Sequence, residues 1–145
     1  MNHLEKVKQD WRALKDVPDC EKTQEMCDEA VRQRWRALLY IPDRFITQKM
    51  CNAAVLKSWK ALYYVPDRFK TQEMCNEAVR QSCESLALED VPDRFMTQEM
   101  CDYAVQKSWE ALENVPDRFI TQEMCDDAVK INSLALHYVP ERFKT

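Results

Sequence analysis

Thr23-Gln24-Glu25-Met26-Cys27 returns at Thr71, Thr97 and Thr121, and at Thr47 with Lys49 in place of the glutamate. Successive copies begin 24, 24, 26 and 24 residues apart. Repetition at a fixed period of this size marks an array of small units, each unable to bury its own apolar face and therefore stacked on its neighbours. The full unit reads Thr-Gln-Glu-Met-Cys-x-x-Ala-Val-x-x-x-Trp-x-Ala-Leu-x-x-Val-Pro-Asp-Arg-Phe-x. It occupies residues 23–46, 47–70, 71–96, 97–120 and 121–145, read as one continuous domain. Residues 1–22 are a degenerate capping copy: Val7, Trp11, Leu14, Val17 and Pro18 keep the pattern, while His3, Cys20 and Glu21 stand at the Cys, Arg and Phe positions. A polar Glu21 suits an end repeat with a neighbour on one side only. The 71–96 copy carries two extra residues between Val79 and Ser85, expected to lengthen its first helix or loosen the next turn.

Each unit reads as two short helices. Thr23 is a favourable N-cap. Met26, Cys27, Ala30 and Val31 fall on one helical face, with Asp28, Glu29, Arg32 and Gln33 on the other. A turn near Arg34 starts the second helix, whose apolar face is Trp35, Leu38 and Ile41. Pro42 ends it, because the residue before a proline is driven out of the α region. Asp43-Arg44-Phe45 then makes a tight connection, and Phe45 is expected to fold back into the core. Helices this short are marginal in water alone, so an all-α solenoid of stacked helix-turn-helix repeats is the expected fold.

Bulk composition agrees. At 46 % hydrophobic and 32 % charged, the chain has enough apolar content to fold. A net charge of −4 disfavours general binding to nucleic acid or anionic membrane. No apolar run reaches the length of a membrane span, and the charged start (Met1 to Lys8) does not read as a signal peptide. A cytoplasmic location is the default expectation. There is no glycine, so turns requiring positive φ must be avoided or made by Asn or Asp.

The last copy runs Ala128-Val129-Lys130-Ile131-Asn132-Ser133-Leu134-Ala135-Leu136-His137-Tyr138-Val139. It resembles the short helical repeats, of about 24 residues, of an uncharacterised bacterial and large-virus family, which often read Ala-Val-Lys-Gln-Asn-Gly-x-Ala-Leu-x-Tyr-Ala. The chain departs from them in placing Trp at 11, 35, 59 and 109, and Ser at 85 and 133, where glycine is usual. The resemblance implies a helical array and supplies no catalytic residues.

Seven cysteines invite a metal or disulfide reading. Five of them (Cys27, Cys51, Cys75, Cys101, Cys125) share one repeat position. Stacked repeats set equivalent positions roughly 8–10 Å apart. A disulfide needs Cα atoms within about 7 Å, and zinc needs thiolates converging at about 2.3 Å. They therefore read as small, reduced, buried hydrophobes, with no cofactor or metal. Cys20 and Cys83 fall outside the register, and Cys20 is expected to be the more exposed. His3, in an end expected to fray, and His137 lack the motif partners of a catalytic site. The recurring Asp and Arg of Pro-Asp-Arg-Phe appear in every unit, whereas an active site is unique. Asp43, Asp67, Asp93 and Asp117 are expected to cap or turn, and their arginines to bond across repeat boundaries. A non-enzymatic chain is the expectation.

Specificity in a repeat protein can reside where the repeats differ. Late in the second helix the variable pairs are Leu39-Tyr40, Tyr63-Tyr64, Glu89-Asp90, Glu113-Asn114 and His137-Tyr138. Tyrosine offers large contact area with a polar tip. Tyr40, Tyr63, Tyr64 and Tyr138 are therefore the candidate partner-binding residues of a protein-interaction scaffold, against the plainer reading that they shield the adjacent layer. Arg32, Arg34, Arg36, Lys57, Lys60 and Arg80 form a basic cluster that supports the alternative, a single-stranded nucleic-acid-binding array. The chain stops at Lys144-Thr145 where another unit would begin, which raises the expectation of a longer array or of end-to-end self-association.

Overall fold

The computed structural model describes residues 1–82 and 85–144. Their regular structure is all helical, with no strand among the described residues. Among the described residues six α-helices form: α1 (His3–Gln9), α2 (Gln24–Gln33), α3 (Gln48–Lys57), α4 (Gln72–Gln81), α5 (Gln98–Lys107) and α6 (Gln122–Ile131). Each of α2 to α6 starts behind a threonine whose Oγ1 accepts the amide of the methionine three residues on, at 3.1–3.3 Å. That bond satisfies one of the amides a helix N-terminus leaves free. Each of these helices has ten residues, α4 included. The inserted residues thus leave α4 at standard length, and Cys83 lies outside the described residues.

The second helix of each unit is a six-residue 3₁₀ segment: Trp11–Asp16, Trp35–Tyr40, Trp59–Tyr64, Ser85–Asp90, Trp109–Asn114 and Ser133–Tyr138. A one-turn 3₁₀ segment follows each proline, at Asp19–Glu21, Asp43–Phe45, Asp67–Phe69, Asp93–Phe95, Asp117–Phe119 and Glu141–Phe143. The span before each proline is too short for a useful run of i−4 bonds, and the ladder closes i−3 instead, as in Ile41 N–H to Leu38 O at 3.3 Å. Three residues per turn eclipse i and i+3, so Trp35, Leu38 and Ile41 form one row. Leu38 and Ile41 lie inside, but the tryptophan at the open end of the row is only half-buried.

By contact the chain divides into two compact units, residues 1–74 and 75–145. In the first, α2 packs on α1, on α3 and on the 11–16 and 35–40 segments, while α3 packs on 35–40 and 59–64. In the second, α5 packs on 85–90 and 109–114, and α6 on α5, 109–114 and 133–138. Each of α2, α3, α5 and α6 therefore touches its own 3₁₀ segment and the preceding one. Within each unit this is the nearest-neighbour stacking of an α-solenoid. The core is one repeated set: Met26, Cys27, Ala30, Val31, Ala37, Leu38 and Ile41 in the 23–46 repeat, with equivalents in the following repeats, except that in the last one Val129 is half-buried and Leu136 exposed. No described residue takes a positive φ. Extended linkers at the caps and before proline replace the turns that glycine would make.

Three local expectations are corrected. The phenylalanine after each Asp-Arg does not enter the core. Phe45, Phe69, Phe95, Phe119 and Phe143 are half-buried, each with its neighbouring arginine over the ring at 4.5–4.6 Å. A ring face that carries a guanidinium has to stay near water. Residues 1–22 are degenerate in sequence alone, since they fold with all three elements of the repeat. Nor is His3 in a frayed end. Asn2 closes a capping box with Glu5, and His3 Nε2 stands 3.0 Å from Glu21, the polar residue at the Phe position.

Candidate functional site

Two sets of side chains recur, and they do different work. The first is framework. In the 23–46, 47–70, 97–120 and 121–145 repeats the glutamine after the N-cap donates from Nε2 to a phenylalanine carbonyl 21 residues on: Gln24 to Phe45, Gln48 to Phe69, Gln98 to Phe119 and Gln122 to Phe143, at 2.8–3.1 Å. That bond closes the beginning of a repeat onto its end. The arginines of the post-proline turns at 44, 68, 118 and 142 reach the repeat before. Arg68 bonds the carbonyl and carboxylate of Asp43, Arg118 those of Asp93, and Arg142 those of Asp117. Arg44 reaches the carbonyl of Asp19. These arginines join consecutive repeats.

The second set lies on the 3₁₀ segments of the 1–74 unit. Tyr40 stacks on Trp11 of the preceding repeat, with ring centroids 6.3 Å apart and planes at 28°. Tyr64 lies on Trp35 in the same register, at 6.0 Å and 41°. Separations of 4.5–7 Å with offset or tilted planes are those aromatic quadrupoles favour. Cations cover the indoles: Arg12 over Trp11 at 5.6 Å, Arg36 over Trp35 at 5.4 Å and Lys60 over Trp59 at 5.7 Å. Tyr63 stands outermost, 68 % exposed, edge-on to Tyr64 at 5.1 Å.

Between the 11–16 and 35–40 segments lies a groove of about 430 Å³. Trp11, Arg12, Arg34 and Arg36 line it with Leu39 and Tyr40, and Tyr64 completes one end. Its volume falls in the range of natural ligand sites. Three of its residues are arginines and none is acidic.

Of the four tyrosines singled out by sequence, Tyr40, Tyr63 and Tyr64 therefore come together on one unit. Tyr138 stacks on Trp109 at 6.2 Å within the other unit, with His137 edge-on to it at 5.4 Å. The shielding role is real for Tyr40, Tyr64 and Tyr138, each of which covers a tryptophan, while Tyr63 covers only Tyr64. Sequence reasoning counted Trp11 and Trp35 as interior and so missed the groove wall. The signal was present in the register: wherever a repeat carries Trp and the next has Tyr five residues after its own Trp or Ser, the two rings meet.

The residues of the basic cluster differ in their partners. Arg32 is held by Glu29, Lys57 donates to the carbonyl of Arg32 at 2.8 Å, and Arg80 lies in the second unit within 3.8 Å of Glu77. Arg34 and Arg36 form no ion pair among the described residues.

The halves differ in charge. Residues 1–74 hold 14 Lys and Arg against 11 Asp and Glu, or +3, and residues 75–145 hold 7 against 14, or −7. Where the first unit has Arg12, Arg36 and Lys60, the 97–120 repeat has Glu110, joined by Glu113.

Cys27, Cys51, Cys75, Cys101 and Cys125 are buried thiols, and Cys20 is exposed. Burial pushes the Cys27, Cys51 and Cys101 thiols up to about 11 and raises that of Cys125. A thiol held protonated is neither nucleophile nor metal ligand at neutral pH. No cluster of three or more His, Cys, Asp or Glu among the described residues is placed to hold a metal ion. No helix there is long and apolar enough to cross a membrane. Comparison with protein-family models, curated proteins and solved structures found no match to this chain.

Proposed function

We propose that this protein is a non-enzymatic interaction scaffold that holds a protein partner on the aromatic face of residues 11–64, in a reducing cytoplasm. One observation carries the reading. Tyr63 is 68 % exposed and Leu39 58 %, side by side with an arginine-lined groove, although the same repeats bury every framework leucine and valine. Large apolar side chains kept in water beside a concave polar site are characteristic of protein-recognition surfaces. The framework supports the division of labour. Gln, Asp, Arg and Phe are engaged in holding repeats together, which leaves the 3₁₀ faces free to vary without loss of fold. The shared, buried cysteine position suits a compartment that keeps thiols reduced.

The test is affinity capture with the whole chain and with Tyr63→Ala, followed by mass spectrometry and thermal melts. A protein retained by the wild type and lost from the variant, at unchanged melting temperature, supports the reading. A captured set that is identical for both overturns it.

A further inference from the structure

We propose that the groove between the 11–16 and 35–40 segments recognises an extended, acidic segment of a partner protein, with its carboxylates on Arg34 and Arg36 and an apolar side chain against Leu39. This rests on the interaction reading above and adds the chemistry of the partner.

Charge complementarity is the first argument. Most arginines of the unit are already engaged: Arg32 with Glu29, Arg44 and Arg68 at repeat boundaries, and Arg12 with Asp10 at 3.5 Å. Arg34 and Arg36 are exposed and meet no carboxylate among the described residues. Arg36 is held by the Trp35 ring beneath it. A guanidinium fixed on an indole presents its fork in a set direction, which suits a carboxylate, and the loss of side-chain freedom on binding is small.

Spacing is the second. Arg12, Arg36 and Lys60 hold one register position in three successive repeats. Packed helical elements lie roughly 8–10 Å apart. An extended peptide covers that distance in about three residues at roughly 3.3 Å each. An acidic residue at about every third position would therefore meet one cation per repeat.

The same geometry disfavours a nucleic acid. Base stacking needs an open ring face, and the Trp11 and Trp35 faces already carry Tyr40 with Arg12 and Tyr64 with Arg36. A phosphate backbone needs a run of cations, and the unit is only +3.

The experiment screens the full chain against a displayed library of random peptides of about twelve residues, long enough to cross three repeats. Oligo-dT and oligo-U of similar length are run in parallel, and each probe is repeated with Arg34→Gln/Arg36→Gln and with Tyr63→Ala. Enrichment of peptides rich in Asp and Glu, weakened about tenfold or more by the arginine pair and by added salt, is the expected result. Enriched peptides without acidic bias, insensitive to the arginine pair but lost with Tyr63→Ala, overturn the acidic partner and leave the interaction reading standing. Enrichment of no peptide that depends on this face, or tighter binding of the oligonucleotides, overturns both. Thermal melts of the variants confirm that the fold is intact, since Arg34, Arg36 and Tyr63 are all exposed.

Discussion

Gln48 Nε2 donates to the carbonyl of Phe69 at 2.8 Å, spanning the repeat from its first helical residue to its last turn. The same nitrogen meets Asn52 Oδ1 at 3.0 Å. Arg68, one residue before Phe69, reaches back to Asp43 in the preceding repeat. Gln48 closes a repeat, and Arg68, next to the carbonyl that Gln48 grips, joins that repeat to the one before. A chain without glycine fixes its helical hairpins in this way, by side-chain bonds across each unit rather than by tight backbone turns.

Gln48→Leu should remove the closing bond at nearly constant volume and leave the half-enclosed Phe69 carbonyl without its donor. The expected loss is about 1–2 kcal/mol of unfolding free energy, read from urea denaturation. A change below about 0.5 kcal/mol, the scatter of neutral surface substitutions, would show that the closure carries no energy.

Two leucines adjacent in sequence should behave oppositely. Leu38 is 3 % exposed in the repeat core and Leu39 is 58 % exposed at the groove. Leu38→Ala is expected to cost about 2–5 kcal/mol, through lost burial and the cavity left behind. Leu39→Ala should stay within about 0.5 kcal/mol. Equal losses in chemical denaturation would contradict the placement of the 3₁₀ face.

The tyrosine pair separates in the same manner. Tyr64 covers Trp35, so Tyr64→Ala should lose the ring contact, worth about 0.5–1.5 kcal/mol beyond area burial, and shift Trp35 fluorescence to the red as water reaches the indole. Tyr63→Ala should leave stability almost unchanged. A red shift with Tyr63→Ala and none with Tyr64→Ala would reverse the assignment.

The first half of each unit was legible because its signals are local and redundant. A threonine cap and the burial of Met26, Cys27, Ala30 and Val31 are both set within one short helix. The second half was only partly legible. Trp35, Leu38 and Ile41 lie at i, i+3 and i+6, and over six residues that spacing fits an α-helix and a 3₁₀ segment alike. The choice falls to the proline that truncates the run, and with it goes the tryptophan's position at the margin instead of the centre. The glutamine bond was illegible, since a polar residue at the first helical position looks ordinary until its partner 21 residues away is in place. The groove has the same origin. Arg34, Arg36 and Leu39 stood out as variable positions, but nothing local shows that Trp11 from the repeat before forms their wall.

Stability should depend on alkaline pH through the buried thiols. The Cys27, Cys51 and Cys101 thiols are raised to about 11 by burial, against about 8.5 for a free cysteine in the unfolded chain. Below the unfolded value both states hold the proton, and stability has no thiol dependence. As pH rises past about 8.5, the unfolded chain releases protons that the folded chain keeps, so the folded state is progressively disfavoured. The loss continues until the folded thiols ionise near 11 and then levels off. Urea midpoints should therefore hold steady from pH 7 to about 8 and fall from about 9 to 11. Over the same range Cys20, exposed, should react at once with a thiol reagent, while the buried set reacts only as the chain opens. Cys51→Ala should flatten part of the alkaline slope, because it removes one of the raised groups. A slope unchanged in that variant would show that this thiol does not hold its proton in the way its burial demands.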